Sequence, residues 1–380
     1  MDGALTLLAT GDLGPNRENP DSIFDGVRDA LKQGDLVFGQ LEPCLAHTGS
    51  PLPQSRLPMR GDPAGAAAIA KAGFDVISFA TNHCMDWGRE AFFETLDVVR
   101  KNGMVPIGAG KNLAEASKPY IAEVNGVKIG FLAYCSILPQ NYFATADRPG
   151  CAPLRGLTVY EQIEHDQPGT PARIHSFPLQ EDLDRIVQQV ADLKKQVDIV
   201  AVSLHWGIHF IPAVIAQYQR IAGHAIIDAG ADIILGHHTH ILKPVEIYKG
   251  KAIIYSMANF ALEPPFMFAE DLEQFNKSEQ HKEIQNLNPD WKKMPSKPMP
   301  ADSYKSLLLK VRIEDRKIAG VSFIPVQLDD DSNPRTLTEA DPEFMEIVRY
   351  MEDITKDQGL ETTYEVSNGE VYVTYLIRKK

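Results

Sequence analysis

Over its first 260 or so residues, the chain alternates short apolar runs with amphipathic stretches. This alternation constrains the fold most, because it is the pattern of strand–helix–strand units around a largely buried sheet. In the amphipathic stretches 183–197 and 92–99, apolar side chains recur at helical spacing. The pattern therefore predicts an α/β fold. The predicted strands are Leu5 to Thr10, Leu36 to Leu41, Val76 to Ala80, Ile199 to Leu204 and Ile233 to Leu235.

Two-residue turns with glycine predict hairpins, because both central residues of such a turn must adopt positive φ. Beyond residue 303, the sequence predicts a strand pair at 307–313 and 318–326 and a helix at 342–358. A last hairpin then ends the chain. The turns are Asn125-Gly126, Lys249-Gly250 and Ser367-Asn368-Gly369.

Two segments interrupt this pattern. Residues 138–178 are rich in proline and glycine and have weak periodicity, and residues 263–303 are polar and rich in proline and lysine. Loops of such length are uncommon unless they cover a site or are disordered. We expect residues 1–262 to form one domain and 263–303 to form a long loop or lid. Residues 304–380 would then supply strands and a helix that complete the same domain.

The charge balance excludes some classes of partner. With 38 basic and 51 acidic residues, the formal net charge is −13, so bulk binding to nucleic acid or anionic membrane is not expected. No stretch is apolar for the ~18 residues of a membrane span. The N-terminus lacks a basic segment and is predicted to be a strand rather than a signal peptide. The four cysteines form no Cys-x-x-Cys pair, which favours reduced thiols in a cytoplasmic protein. The oligomeric state is left open.

Polar residues that can do chemistry follow five of the predicted strands directly. In open α/β sheets, ligands bind at the carboxyl ends of the strands. Five strands that each deliver a carboxylate, amide or imidazole to that edge are therefore more informative than any single residue. These residues are Asp12, Glu42, Asn82 with His83, His205, and the group His237, His238 and His240.

The chemical types in this set match those of a metal site. Carboxylate oxygen, amide oxygen and imidazole nitrogen are ligands for Mn, Fe or Zn, and the lack of a thiolate argues against a structural zinc site. Each residue alone has an ordinary interpretation. Asp12 could be a helix cap or turn residue, Glu42 a solvated loop residue, and His205 a packed core histidine. Taken together, the five positions favour a metal site.

Longer motifs in the same regions resemble the CapA family of capsule-synthesis and poly-γ-glutamate-biosynthesis proteins, whose fold is similar to that of calcineurin-like metallophosphatases. The resemblance implies a mixed-sheet α/β/β/α sandwich of the metallo-dependent phosphatase type, with small C-terminal α+β elements. The strings that carry it are GDLGPNR at 11–17, LE at 41–42, RGDP at 60–63, GFDVISFATNHCMDWG at 73–88, GAG at 108–110, HWG at 205–207 and the block IIDAGADIILGHHTHILKPVEIYKGKAIIYSMANF at 226–260.

The resemblance also implies roles for individual residues. It makes Glu42 the carboxylate that bridges two divalent cations, and His83 the catalytic histidine, oriented by Asp86. The string GHHTH has one imidazole to spare, so the choice between His237 and His238 as a ligand stays open. The implied metal ligands are Asp12, Glu42, Asn82, His205, His238 and His240, and the implied substrate-binding residues are Arg17, Arg60, His209 and His237.

Three functions are compatible with these features. The first is a metal-dependent, dinuclear hydrolase that acts on a phosphoester or a γ-glutamyl or other amide bond, in poly-γ-glutamate or capsule metabolism. The second is a metal-dependent epimerase of a peptide or amino acid at the same site. The third is a non-catalytic, metal-stabilised subunit of polyglutamate synthesis. Each implies an anionic ligand, either a small molecule or a peptide such as polyglutamate.

Overall fold

The computed structural model describes residues 4–55, 57–166, 169–263, 277–293 and 299–375. Its strands, numbered in chain order, are β1 Leu5–Gly14, β2 Leu36–Leu41, β3 Cys44–Leu45, β4 Arg60–Gly61, β5 Val76–Ser78, β6 Val105–Ile107, β7 Ala109–Gly110, β8 Tyr120–Val124, β9 Val127–Cys135, β10 Gly150–Cys151, β11 Gly156–Glu161, β12 Arg173–Pro178, β13 Ile199–His205, β14 Ile233–His237, β15 Val245–Tyr248, β16 Lys251–Ile254, β17 Asn259–Leu262, β18 Lys305–Glu314, β19 Lys317–Leu328, β20 Pro334–Thr336, β21 Thr362–Ser367 and β22 Glu370–Tyr375.

The helices lie between these strands. They are α1 Arg28–Leu31, α2 Ala64–Ala72, α3 Gly88–Lys101, α4 Leu113–Ala116, α5 Gln180–Lys194, α6 Gln217–Asp228, α7 Glu279–Leu287, α8 Pro289–Lys293 and α9 Pro342–Asp357, with short 3-10 turns at Pro20–Phe24 and Ala301–Tyr304. None of the described helices is both long and apolar enough to cross a bilayer.

The larger of two main sheets is mixed. Its strand order is β21-β22-β19-β18-β1-β2-β5-β6, with β17 beside β1 and β20 beside β19. Strands β1, β2, β5 and β6 run parallel to one another. On the other side of β1, β18 pairs with it antiparallel, so the C-terminal strands extend the same sheet. Near its end β1 also pairs in parallel with β17, with Asp12 opposite Asn259.

The second main sheet has the order β15-β16-β14-β13-β9-β8. Its four central strands are parallel, and each edge is closed by a hairpin. The turn Asn125-Gly126 has φ of 51° and 75°, and Lys249-Gly250 has φ of 51° and 78°. These are the positive values that such turns require, and both hairpins are confirmed. The hairpin predicted near Asn368-Gly369 is confirmed as well.

The two sheets pack face to face, and helices cover the outer face of each. Along β13 the side chains alternate: Ile199 and Ala201 point into the core between the sheets, whereas Val200 and Val202 pack on α5 and α6. Across the sheets, the rings of Phe38 and Phe131 stack with centroids 6.0 Å apart. Helices α1, α2, α3 and α9 cover the first sheet. The predicted mixed-sheet α/β/β/α sandwich with C-terminal α+β elements is confirmed.

The segment 263–303, which we expect to be a loop or lid, lies partly outside the described residues. Its described part contains α7 and α8, and the indole of Trp291 is buried there against Phe210, with ring centroids 5.0 Å apart. The side-chain amide of Asn288 donates to the Phe210 carbonyl at 2.7 Å. The segment therefore packs on the loop that follows β13. Its role as a lid and the division into domains stay predictions.

Candidate metal centre

The candidate site lies where the carboxyl ends of strands from both sheets meet. From the first sheet, Asp12 lies in β1 just past a shift in its register with β2, and Glu42 follows β2 directly. Asn82 lies in the loop after β5. From the second sheet, His205 is the last residue of β13 and His237 the last of β14, and the loop after β14 carries His238 and His240. The backbone N–H of Glu42 donates to the Leu13 carbonyl at 2.9 Å, which fixes the two carboxylate positions relative to each other.

Donor atoms of this set converge on one point. Asp12, Glu42 and His205 are fully buried, and each has a potential ligand atom within 4.8 Å of those of the others. Nε2 of His205 lies 2.7 Å from Oδ1 of Asn82 and 3.5 Å from Oε2 of Glu42. Nδ1 of His238 lies 3.1 Å from the same Asn82 oxygen. Five side chains from distant parts of the chain thus face a common centre.

Within the described part of the chain, the two carboxylates accept no hydrogen bond of standard geometry, although the nearby His238 N–H and Thr81 hydroxyl lower the pKa of Asp12 and of Glu42. Neither oxygen of Asp12 or of Glu42 has a hydrogen-bond partner among the described residues, although both side chains are completely buried. Burial raises the pKa of both groups well above the usual values, and the charge of Asp12 raises the pKa of Glu42 further. Buried polar groups are nearly always paired, and an unpaired buried charge is costly. A bound cation would offset this cost.

The imidazoles around the carboxylates are in the form that binds metals. Burial lowers the pKa of His240 to about 4 and holds those of His205 and His238 well below the usual range. These rings are therefore neutral near pH 7, with a lone pair available for a cation. His238 and His240 have φ of 93° and 56°, a strained backbone of the kind that clusters at functional sites. The donor set fits divalent Mn, Fe or Zn.

Asn259, the first residue of β17, is not among the site residues predicted from the sequence. Its side-chain Oδ1 lies 2.8 Å from Nδ1 of His240, and that nitrogen is 3.6 Å from Oδ2 of Asp12. Asn259 therefore orients the His240 ring beside the carboxylates. A signal was available, because Asn259 closely follows residues 252–256, the second arm of the hairpin predicted at Lys249-Gly250, as Asn82 closely follows the predicted strand Val76 to Ala80.

A histidine–carboxylate pair lies at the edge of the cluster. Nδ1 of His83 is 2.6 Å from Oδ2 of Asp86, and its Nε2 is 3.8 Å from Oε1 of Glu42. Asp86 is held in turn by hydrogen bonds of 2.8 Å each from the Ser55 hydroxyl, the Met59 N–H and the Tyr142 hydroxyl. This network fixes Asp86, and Asp86 fixes the plane of the His83 ring.

Of the four residues expected to bind substrate, His209 alone lies against the cluster. Its ring centroid is 3.8 Å from that of His238. His237 points between the sheets instead. There its Nε2 lies 3.1 Å from the Thr10 carbonyl oxygen, and its ring lies beside Phe38. The structure therefore leaves His238, not His237, facing the carboxylates.

The two expected arginines have other neighbours. Arg17 forms an ion pair with Glu263 at 3.0 Å and donates to the Asn333 side chain and the Asp331 carbonyl, each at 2.6 Å. Arg60 lies with its guanidinium carbon 3.6 Å from the centroid of the Trp87 ring. The structure brings neither guanidinium into hydrogen-bond contact with the described metal-centre residues.

The family model for the bacterial capsule synthesis protein PGA_cap matches residues 6–263. The chain belongs to this family. The resemblance to CapA proteins noted in the motifs is thereby confirmed. All the residues of the candidate metal centre, from Asp12 to Asn259, lie within the matched region 6–263.

Curated relatives extend this finding. The chain is 28% identical to the PGA biosynthesis protein CapA of Bacillus subtilis over 249 residues. This alignment covers 65% of this chain and 58% of the relative. Over 252 residues it is 27% identical to the capsule biosynthesis protein CapA of Bacillus anthracis, covering 65% and 55%. A probable polyglutamine synthesis accessory protein of Mycobacterium tuberculosis is 29% identical over 226 residues, covering 58% and 54%. The matches thus span less than two thirds of these PGA_cap relatives.

Solved structures with similarity to this PGA_cap chain are more distant. A hypothetical protein from Thermus thermophilus matches with a TM-score of 0.44 at 15% identity, covering 85% of this chain and 99% of that one. A calcineurin-like phosphoesterase, YfkN of Bacillus subtilis, matches with a TM-score of 0.35 at 11% identity, covering 94% and 98%.

Proposed function

We propose that this chain is a metal-dependent hydrolase that acts on a phosphoester or a γ-glutamyl or other amide bond of an anionic substrate. The observation that carries the proposal is the pair of buried carboxylates, Asp12 and Glu42, whose oxygens lack partners among the described residues and face neutral imidazoles. Two divalent cations of Mn, Fe or Zn would be held by Asp12, Glu42, Asn82, His205, His238 and His240.

Bound cations in such a site polarise the scissile bond and lower the pKa of an attacking water. The protein's own contribution to proton transfer comes from His83. Because Nδ1–H of His83 donates to Asp86, the ring is held with Nε2 directed toward the cluster. His83 can then give a proton from Nε2 to the leaving group. Asn259 holds His240 in place during this step.

The proposed substrate is anionic. Two of the relatives are named for PGA and capsule biosynthesis, and poly-γ-glutamate carries a carboxylate on each residue. His209, against His238, is placed to contact such a substrate. We extend the proposal to Arg17 and Arg60 as charged groups for more distant parts of it. We also extend the proposal to a cytoplasmic location, since the four buried cysteines are free thiols.

The experiment is a turnover assay of the purified chain with Mn, Zn or Fe against phosphomonoester, phosphodiester and γ-glutamyl substrates. We expect turnover in one class, its loss on chelation and its return on adding metal. Addition of metal at 100 times its Kd should also stabilise the fold by about 2.7 kcal/mol, measured by denaturant unfolding. Turnover that is unchanged after complete metal removal would contradict the proposal.

Asp86 provides a test of the proton donor. The variant Asp86→Asn should lower kcat by about 10–100-fold, the usual loss for a residue that orients another, with KM and metal content unchanged. The matched variant Tyr142→Phe removes one of the four hydrogen bonds to Asp86 and should cost much less. If Asp86→Asn instead lost metal in proportion to activity, Asp86 would be a support of the metal centre and not of the proton donor.

A second candidate function has one observation in its favour. The names of the relatives describe biosynthesis and accessory proteins, which suits a metal-stabilised, non-catalytic subunit of polyglutamate synthesis. This function predicts that metal removal lowers stability and that no substrate class is turned over. The same assay therefore separates the two. Solvent deuterium entering Cα without bond cleavage would indicate the epimerase instead.

A further inference from the structure

A cavity of about 720 Å³ lies beside the turn that carries Asp86. Its walls come from the loop around Ser50, from the turn from Met85 to Glu90, and from Asn141 and Arg148. The turn is held by backbone hydrogen bonds from Leu52 to the Asp86 carbonyl at 2.8 Å and from Ser50 to the Trp87 carbonyl at 3.1 Å. No residue of the metal cluster is among the described residues that line this cavity.

The charge of the cavity is opposite to that of the chain. Arg89 and Arg148 line it against one acidic residue, Glu90, in a protein with a formal net charge of −13. Arg148 is held in place because its Nη1 donates to Oδ1 of Asn141 at 2.9 Å and its guanidinium lies 5.1 Å from the Phe143 ring centroid. A guanidinium fixed in this way is preorganised for an oxyanion.

Two buried N–H donors in these walls have no acceptor in the part of the chain that the structure describes. Among the described residues, neither Nε1 of Trp87 nor Nε of Arg148 has a hydrogen-bond partner, and both atoms are inaccessible to solvent. Buried donors are nearly always satisfied by protein, water or a ligand. The first turn of α3 begins at the same wall, and no side chain caps it at Trp87. The helix dipole adds positive potential at this end.

We propose that this cavity binds an oxyanion-bearing ligand, a carboxylate or a phosphate, at a site separate from the metal centre. Arg148 and Arg89 supply the charge, and the contact of Arg148 with Asn141 holds its guanidinium at the cavity wall. The ligand contacts the turn from Met85 to Glu90, whose Asp86 side chain holds His83. Occupancy of the cavity therefore bears on the position of the proton donor, whether the ligand is part of the substrate or a separate effector.

The test is a binding titration on chelator-treated protein, so that anions cannot be held by metal. The probes are inorganic phosphate and glutarate, and the readouts are tryptophan fluorescence and calorimetry. Of the three tryptophans, Trp206 and Trp291 are fully buried and do not line the cavity. We expect a saturable fluorescence change that Trp87→Phe abolishes. Saturation by phosphate alone, by glutarate alone or by both supports the site and identifies its chemistry.

Charge variants localise the binding. Arg148→Gln should weaken it by at least about tenfold, the loss expected for one charge-assisted hydrogen bond. Arg89→Gln should weaken it by about threefold or more, and since Arg89 is exposed this variant keeps the fold. Arg100→Gln, at the far end of the same helix and outside the cavity, is the matched control and should bind as the wild type does.

No saturable binding of either probe, or equal losses in all three variants, would overturn the proposal. Both results are independent of hydrolase activity.

Discussion

Replacing Asp12 by asparagine is expected to lower metal-stimulated turnover by about 10³-fold or more, since even one lost electrostatic contact to a transition state costs about 10²–10³. Glu42→Gln should behave in the same way. Both changes keep the shape of the side chain and remove its charge. Elemental analysis should find metal lost from both variants, because each carboxylate contributes negative charge to a fully buried cluster.

Stability measurements separate loss of metal from loss of fold. In chelator, the Asp12→Asn protein should be at least as stable as the wild type, and up to about 1–3 kcal/mol more stable, because a buried unpaired charge is removed. Asp29→Asn is the control, since the Asp29 side chain is 98% exposed, and it should change neither metal content nor turnover. Full metal occupancy in Asp12→Asn would show that this residue is not a ligand.

Replacing His83 by glutamine is expected to lower kcat by about 10²–10⁴-fold, the usual contribution of a general acid. The metal content should stay unchanged, because His83 is not one of the three fully buried residues at the centre of the cluster. The His83 ring is fixed by the 2.6 Å contact between its Nδ1 and Oδ2 of Asp86. Replacing His83 therefore removes a directed proton and not a ligand of the cation.

The leaving group distinguishes this role from a structural one. A substrate whose leaving group is a good one, such as a nitrophenol, needs no proton, so its turnover should fall far less in His83→Gln than that of an alkyl ester. The comparison uses one enzyme preparation and differs only in substrate. Equal losses for both substrates would mean that His83 does not act as the acid.

Much of this architecture follows from local sequence patterns. Periodicity placed α5 and α9 within a few residues of their observed bounds, and the glycine turns gave three hairpins. The same patterns predict the candidate site, because parallel strands end at a common edge and polar residues at that edge lie close together. The local pattern does not predict the residue at which each strand ends, nor which segments pair across the two sheets.

His237 illustrates the limit at one residue. The predicted strand ended at Leu235, but β14 continues to His237. Since side chains in a strand alternate, His237 points the same way as Ile233 and Leu235, into the core between the sheets. The positive φ of His238 then turns the next ring toward the carboxylates. The sequence identifies the candidate histidines, but the residue at which β14 ends determines which of them faces the site.

Asn259 illustrates the limit at long range. Its position depends on the parallel pairing of β17 with β1, in which Asp12 N–H donates to the Ala258 carbonyl at 2.9 Å. These residues are far apart in sequence, and no local propensity specifies that they pair. Short segments of strand that join a sheet only at its end give too little periodicity to be assigned.

The convergence of both sheets on one point has a consequence for folding. Asp12 and Glu42 come from the first sheet and His205 from the second, far along the chain. An ion bound there would act as a non-covalent cross-link that closes a very long loop of the chain. The chain entropy lost on closing that loop would be paid in one step, when the two sheets dock. Sliding of one sheet over the other would be opposed by the ion itself. Loss of the ion would be felt as weaker cooperativity of unfolding across the entire sandwich, including strands that never approach it.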